Sequence, residues 1–136
     1  MQKTKHIKTI FFLVLTSISF NVVSQNIVEE SIKRGKKIYM QNCVACHMPD
    51  GKGMTGAFSP LAKSDYLMED INRSITTILE GLNGEITVNG ITYYGAMVPF
   101  NSLTDKEIAD VSNYIRNNWG NQGKPIEPEL VADLRK

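Results

Sequence analysis

Five consecutive residues constrain this chain more than anything else in it: Cys43-Val44-Ala45-Cys46-His47. The 136 residues include only two cysteines and two histidines, and this pentapeptide takes both cysteines and one histidine. Two cysteines three apart face the same side of a helical turn. Both sulfurs can therefore reach the two vinyl groups on one haem edge. The next residue can then set an imidazole nitrogen under the ring, against the iron. Cys-x-x-Cys-His is the attachment pattern for c-type haem. Three other uses compete. A disulfide across two intervening residues would be strained and add little stability. A thioredoxin-like redox pair wants a strand ahead of the cysteines, where this sequence predicts a helix. A zinc site needs more ligands than Cys43, Cys46 and His47 supply.

Residues 1–24 have the plan of a secretory signal peptide. Lys3, Lys5 and Lys8 precede an apolar run from Ile10 to Phe20, and Val22 and Ser24 supply small residues before a cleavage point at Gln25. The competing reading is an uncleaved anchor, but a stretch of 11 residues, diluted by Thr16, Ser17 and Ser19, falls short of the roughly 20 a spanning helix needs. No cysteine follows the run, which argues against a lipid anchor. Three of the 15 basic residues and none of the 14 acidic ones lie in this segment, so residues 25–136 carry a net charge of −2 and retain one histidine, His47. That balance gives no reason to expect nucleic acid as a partner. The remaining 112 residues suit one small domain, residues 25–120, with a tail over 121–136. A core that size is marginal without help from a cofactor.

The spacing of Val28, Ile32, Gly35 and Tyr39 predicts a first helix over 28–41. Lys33, Arg34, Lys36 and Lys37 fall on its solvent side. Residues 48–63, rich in Gly, Pro, Ser and Asp, predict a loop. Ser64 or Asp65 can cap a second helix carrying Ile71, Ile75, Ile78 and Leu79, with Gly81 as its stop. Glu85 to Tyr94 reads as a short hairpin turning at Asn89-Gly90. Thr104 and Glu107 form a capping box for a third helix over 105–118. Its buried face is Ile108, Val111, Ile115 and Trp119, beside Tyr114, and Gly120 ends it. Pro125 and Pro128 mark the tail, with room for one short terminal helix.

An iron held by His47 has an open opposite face. Residues 25–136 offer no second histidine, so methionine is the alternative, and a thioether raises the reduction potential. The choices are Met40, Met48, Met54, Met68 and Met97. Met40 and Met48 lie beside the attachment motif, on the wrong side of the ring. Met54 would have to wrap a haem edge, and Met68 suits core packing. Met97 sits in a non-periodic stretch stiffened by Pro99, and is the favoured axial ligand. The competing role is filling a core gap.

Together, residues 28–120 resemble a class I c-type cytochrome. The order matches: amphipathic helix, Cys-x-x-Cys-His, a loop with Pro-Leu, helix, methionine loop, and a last helix ending in an aromatic. The resemblance implies an all-α fold, three main helices around a covalently bound haem c and its iron, here with a short hairpin before the methionine loop. It implies that Gly35 and Tyr39 pack against Val111 and Tyr114. It implies that the Pro60 carbonyl accepts a hydrogen bond from His47 and that Leu61 packs on the ring. The stretch from Glu85 to Gly123 is similar to the cytochrome partners or domains of periplasmic copper nitrite reductases and quinoprotein dehydrogenases. The implied role is a periplasmic one-electron carrier with no catalytic residues, passing electrons between a respiratory donor and a reductase, dehydrogenase or oxidase. The alternatives are a subunit permanently docked in such a complex, with 121–136 as its docking segment, and a haem sensor of small ligands.

Overall fold

The computed structural model describes residues 26–135. The chain divides into two compact units, residues 1–30 and 31–136. Of the first, the described residues 26–30 are helical. The predicted signal segment lies outside the described residues.

The second unit carries the rest of the first helix (α1, residues 26–42), then α2 (Val44–His47), α3 (Asp65–Glu69) and α4 (Ile71–Glu80). Strands β1 (Leu82–Val88) and β2 (Ile91–Met97) follow, then α5 (Asp105–Arg116) and α6 (Pro128–Leu134). About half of the described residues are helical. The predicted second helix is in fact two. Ser64 accepts a hydrogen bond from the Leu67 amide and starts α3, while Asp70, in extended backbone, accepts from the Arg73 amide and starts α4. A short acidic side chain that bonds a nearby amide competes with helix continuation. Gly81, at φ 79°, ends α4 as predicted.

The hairpin is longer than predicted. Seven residue pairs run antiparallel from Leu82↔Met97 to Val88↔Ile91. Asn89 and Gly90 both have positive φ, at 51° and 76°, which a two-residue turn of the tight hairpin kind requires. The turn is pinned to α3: the Asn89 amide donates to Asp65 Oδ1 at 2.7 Å, and the Asp65 amide donates to Asn89 Oδ1 at 3.0 Å. Glycine hid the extension, since Gly84 pairs with Gly95 and neither contributes to apolar alternation. Met97 therefore ends a strand and does not sit in a free loop. The fold is helical with a two-stranded sheet set into it, so strictly all-α is too narrow.

Helix α5 is the spine. The Thr104–Glu107 capping box starts it, and residues 108–116 are all buried. It stops at Arg116, short of the predicted 118, because Asn117 and Asn118 turn their side-chain amides back to the carbonyls of Asn113 and Tyr114. One core cluster joins Ile75 and Leu79 of α4, Ile108 and Ala109 of α5, and Ile126 and Val131 of the tail. The tail thus packs on its own domain. The other cluster joins Tyr39, Leu67, Val111, Tyr114 and Ile115. Gly35 lets α1 cross α5 closely: a Cβ there would strike the Asp110 carbonyl and lie 2.9 Å from Tyr114 Cβ.

One predicted solvent-side cation is not simply solvated. Arg34 grips Asp110 with two hydrogen bonds, Nε to Oδ2 at 2.7 Å and Nη2 to Oδ1 at 2.8 Å. Ser31 Oγ and Lys106 Nζ donate to the same carboxylate, at 2.7 and 2.9 Å. Burial by itself would raise the Asp110 pKa, but hydrogen bonds from Arg34, Ser31 and Lys106 outweigh it and hold the group below its ordinary 3.8. A depressed carboxylate pKa stabilises the fold above the unfolded value, and the contribution is lost as pH falls through the folded value. Replacing Asp110 by Asn should cost about 1–3 kcal/mol at pH 7 and flatten the fall in stability below about pH 4, as read from denaturant unfolding at stepped pH. An unchanged acid limb would mean that Asp110 is not one of the groups behind it.

Candidate haem site

The end of α1 and the short α2 present the pentapeptide. The Cys43 amide donates to the Tyr39 carbonyl at 2.9 Å, and the His47 amide donates to the Cys43 carbonyl at 3.0 Å. Residues 43, 46 and 47 thus occupy i, i+3 and i+4 of one helical turn, and all three line the same cavity. Met48, at φ 62°, breaks the turn, and the Tyr39 hydroxyl donates to its carbonyl at 2.6 Å. Burial, then the neighbouring Cys43, Tyr114 and Asp50, raise the Tyr39 pKa, so the hydroxyl keeps its proton for that bond. Both thiols are free. Burial, and then Cys46 beside it, push the Cys43 thiol up to about 11.

His47 Nδ1 lies 3.1 Å from the Ser59 carbonyl. The acceptor is therefore the residue before Pro60, a correction to the expected Pro60 carbonyl. A residue preceding proline is held in extended backbone, and its carbonyl here meets the imidazole. Donation from Nδ1 sets the tautomer with the Nε2 lone pair free. Burial lowers the His47 pKa against the opposing effect of the Ser59 bond. A neutral ring is the form that can bind a metal. Pro60 and Leu61 line the cavity beside it.

The loop before Ser59 is built on glycines. The amides of Leu61 and Ala62 both donate to the Gly51 carbonyl, and the Gly53 amide donates to the His47 carbonyl. Gly53 has φ 62°, and a Cβ there would collide with the Phe58 carbonyl and lie 2.8 Å from the Ser59 oxygen.

The cavity, of about 250 Å³, is also lined by residues of α4 and the hairpin. Ile78, Leu82, Ile86, Val88, Tyr93 and Met97 contribute to that wall. Among the described methionines, only Met97 lines the cavity. Met40 and Met54 are 47% and 50% exposed. Met68 packs partly buried against the Tyr39 cluster. The backbone at Met97 is held from two directions. A Cβ on Gly81 would collide with the Met97 carbonyl, and the Phe100 amide donates to the Ile78 carbonyl at 2.9 Å. The hairpin residues of the wall were not singled out from the sequence. Their signal is the alternation of Ile86 and Val88, two apart on one strand.

Two free thiols on one turn, an imidazole with its second nitrogen unpartnered, a thioether and mainly apolar walls are the donor set and lining that a covalently held haem needs. Comparison with known proteins agrees. The cytochrome c family model matches residues 32–119. A cytochrome c-552 from Thermus thermophilus is 42% identical over 110 residues, covering 74% of this chain and 83% of the relative. The cytochrome c subunit of the quinone alcohol dehydrogenase of Gluconobacter oxydans is 36% identical over 88 residues, 64% of this chain but 18% of that subunit. The gluconate 2-dehydrogenase cytochrome c subunit of Pantoea cypripedii is 30% identical over 110 residues, 75% of this chain and 24% of that one. This chain belongs to the cytochrome c family: it is an electron-transfer protein whose cofactor is one covalently bound haem c with its iron.

Proposed function

We propose that the chain is an exported one-electron carrier, with haem joined through thioethers at Cys43 and Cys46 and its iron held by His47 and Met97. The observation that carries this is a single cavity lined by both thiols, by His47 and, among the described methionines, by Met97 only. The haem supplies the redox chemistry, its iron moving between ferric and ferrous states. The chain supplies the rest. Cys43 and Cys46 fix the group in place. The Ser59 carbonyl orients the His47 ring and keeps its binding nitrogen unprotonated. Met97 would supply a second protein ligand to the iron, and its thioether would keep small molecules off the metal and favour the ferrous state. Apolar walls from Leu67, Ile78, Val111 and Ile115 limit water around the site.

Export rests on the signal-like residues 1–24, and among the described residues no helix is long and apolar enough to cross a membrane. A periplasm is the compartment that fits, and the partners are a respiratory donor and a reductase, dehydrogenase or oxidase. A c-552 relative matched over 83% of its length favours a free carrier. The cytochrome subunits of dehydrogenases favour the second reading, a permanently docked subunit. The tail offered as a docking segment for that reading has Ile126 and Val131 buried in its own core.

Two measurements test the ligand assignments. The ferric protein should show a weak red methionine–iron charge-transfer band that Met97→Ala abolishes, and the ferrous protein should resist carbon monoxide. Rapid carbon monoxide binding by the unmodified protein would instead support a haem sensor. On the other side of the ring, Gly53→Ala should destabilise the protein by about 2–4 kcal/mol and shift the NMR resonances of the His47 ring, because the alanine methyl displaces the Phe58–Ser59 backbone. Gly56 also has positive φ, at 81°, but nothing lies within 4 Å of a Cβ there. Gly56→Ala should therefore cost only about 1 kcal/mol and leave the His47 signals in place. Equal effects from the two changes would rule out the Ser59 contact as the sensitive element.

A further inference from the structure

The described part of the tail reaches back to the segment that follows Met97. Its last described residue, Arg135, places a planar guanidinium against three acceptors: Nη1 donates to the Asn101 carbonyl at 2.7 Å, Nη2 to the Leu103 carbonyl at 2.6 Å, and Nε to Asp105 Oδ1 at 2.6 Å. These residues bridge the Met97 strand and the start of α5. Apart from Arg135, the contacts that tie residues 98–103 to the rest of the domain include the Phe100 amide on the Ile78 carbonyl, and the segment closes on itself through the Leu103 amide and the Phe100 carbonyl. Leu103 itself faces both ways: it lines the haem cavity and packs on the cluster that holds Ile126 and Val131. Val131 is fully buried, one helical turn before Arg135, and Leu134 packs on the same cluster.

We infer that Arg135 is a positioning residue for Met97, and that the tail is a strap holding the sixth iron ligand in place. This rests on reading Met97 as that ligand. The physical case is a division of labour. The hairpin fixes the chain up to Met97, with Leu82↔Met97 as its last pair. Beyond Met97 there is no ladder, and the hydrogen bonds that tie the segment to the rest of the domain are one from the Phe100 amide to the Ile78 carbonyl and those of the arginine fork. A thioether binds iron weakly enough that its departure depends on how freely its backbone can retreat. Arginine suits the task because a rigid fork can take two carbonyls and a carboxylate at once, and lysine cannot. Loss of Arg135 releases the Asn101 and Leu103 carbonyls together, and the segment gains freedom without any change in the residues that touch haem.

The test uses the full-length haem-loaded protein and carbon monoxide as the probe. Opening of the methionine side limits its binding to ferrous iron. Arg135→Ala should raise the binding rate about five- to tenfold, and the charge-transfer band should disappear at a lower pH on alkaline titration. Arg135→Lys should stay close to Arg135→Ala, since it keeps the charge facing Asp105 and loses the fork. Ile75→Val is the control for general destabilisation. Ile75 is fully buried in the same core cluster and lies away from the cavity lining, so this change should lower the melting temperature and leave the carbon monoxide rate alone. If Met97→Ala binds carbon monoxide fast while Arg135→Ala matches the unmodified protein, the strap is overturned and the ligand assignment stands. If Met97→Ala is no faster than the unmodified protein, the ligand assignment itself fails. If Ile75→Val accelerates binding as much as Arg135→Ala, the effect is loss of stability and the positioning role is overturned.

Discussion

The close crossing of α1 over α5 at Gly35 is the contact on which the rest of the molecule depends. The Asp110 carbonyl fills the space a side chain at Gly35 would need. At that separation, Tyr39 one turn on can stack among Tyr114 and Trp119, with all three ring centroids 5.1–5.3 Å apart. Tyr39 then reaches the Met48 carbonyl and ties off the haem-binding turn. Trp119 reaches the other way. Its ring covers Gly51, where a Cβ would come within 2.5 Å of Cε3, and its Nε1 donates to the Pro49 carbonyl. The Gly51 carbonyl in turn collects the Leu61 and Ala62 amides. One helix crossing thus passes order through an aromatic trio into the loop that carries Ser59, and so to the imidazole it orients. Larger residues at Gly35 would be felt at His47 without touching it.

Polar groups hold the same crossing in register. Asp110 sits between α1 and α5 with Ser31, Arg34 and Lys106 around it, and Asn113 donates to Ser31 Oγ and to the Ile126 carbonyl while accepting from the Ile126 amide. A side-chain network therefore links the first helix, the last long helix and the tail. Satisfied buried networks of this kind narrow the ways two helices can slide past each other, because a slipped register strands a carboxylate in the interior. Apolar contacts supply most of the burial energy and little directional preference. The network supplies the direction, and the haem-bearing turn at the end of α1 inherits it.

What could be read from the sequence divides along a physical line. Local chemistry was legible. The thiol spacing, the Thr104–Glu107 box, the Gly81 stop and the Asn89-Gly90 turn depend on residues a few positions apart, and each is where the pattern placed it. The break at Asp70 and the early end of α5 at Asn117 were missed because polar side chains there compete with the backbone, a contest that apolar periodicity does not register. The length of the hairpin was missed because Gly84 and Gly95 pair with each other and look like loop. At the site, Cys43, Cys46, His47, Pro60, Leu61 and Met97 all line one cavity. The displaced hydrogen bond, on Ser59 and not Pro60, differs by one residue because the resemblance located the turn but not the peptide plane that faces the ring. Arg135 could not have been found at all. Nothing in a lone arginine at the chain end says which carbonyls, over thirty residues earlier, it will meet.

The two sides of the cavity are consequently built by different kinds of contact. The His47 side combines short-range turns and glycines of residues 39–62 with the aromatic ring of Trp119 and the Asn121 side chain, which reach it from beyond α5. The Met97 side is assembled from α4, the hairpin, the start of α5 and the tail. Its order exists only when those elements have already come together. Such an asymmetry suits an electron carrier. The attachment side must stay closed, and tight turns backed by the aromatic trio hold it. The side that carries Met97 depends on how several elements of the fold press together, so residues far from the cavity can shift it without altering what lines it.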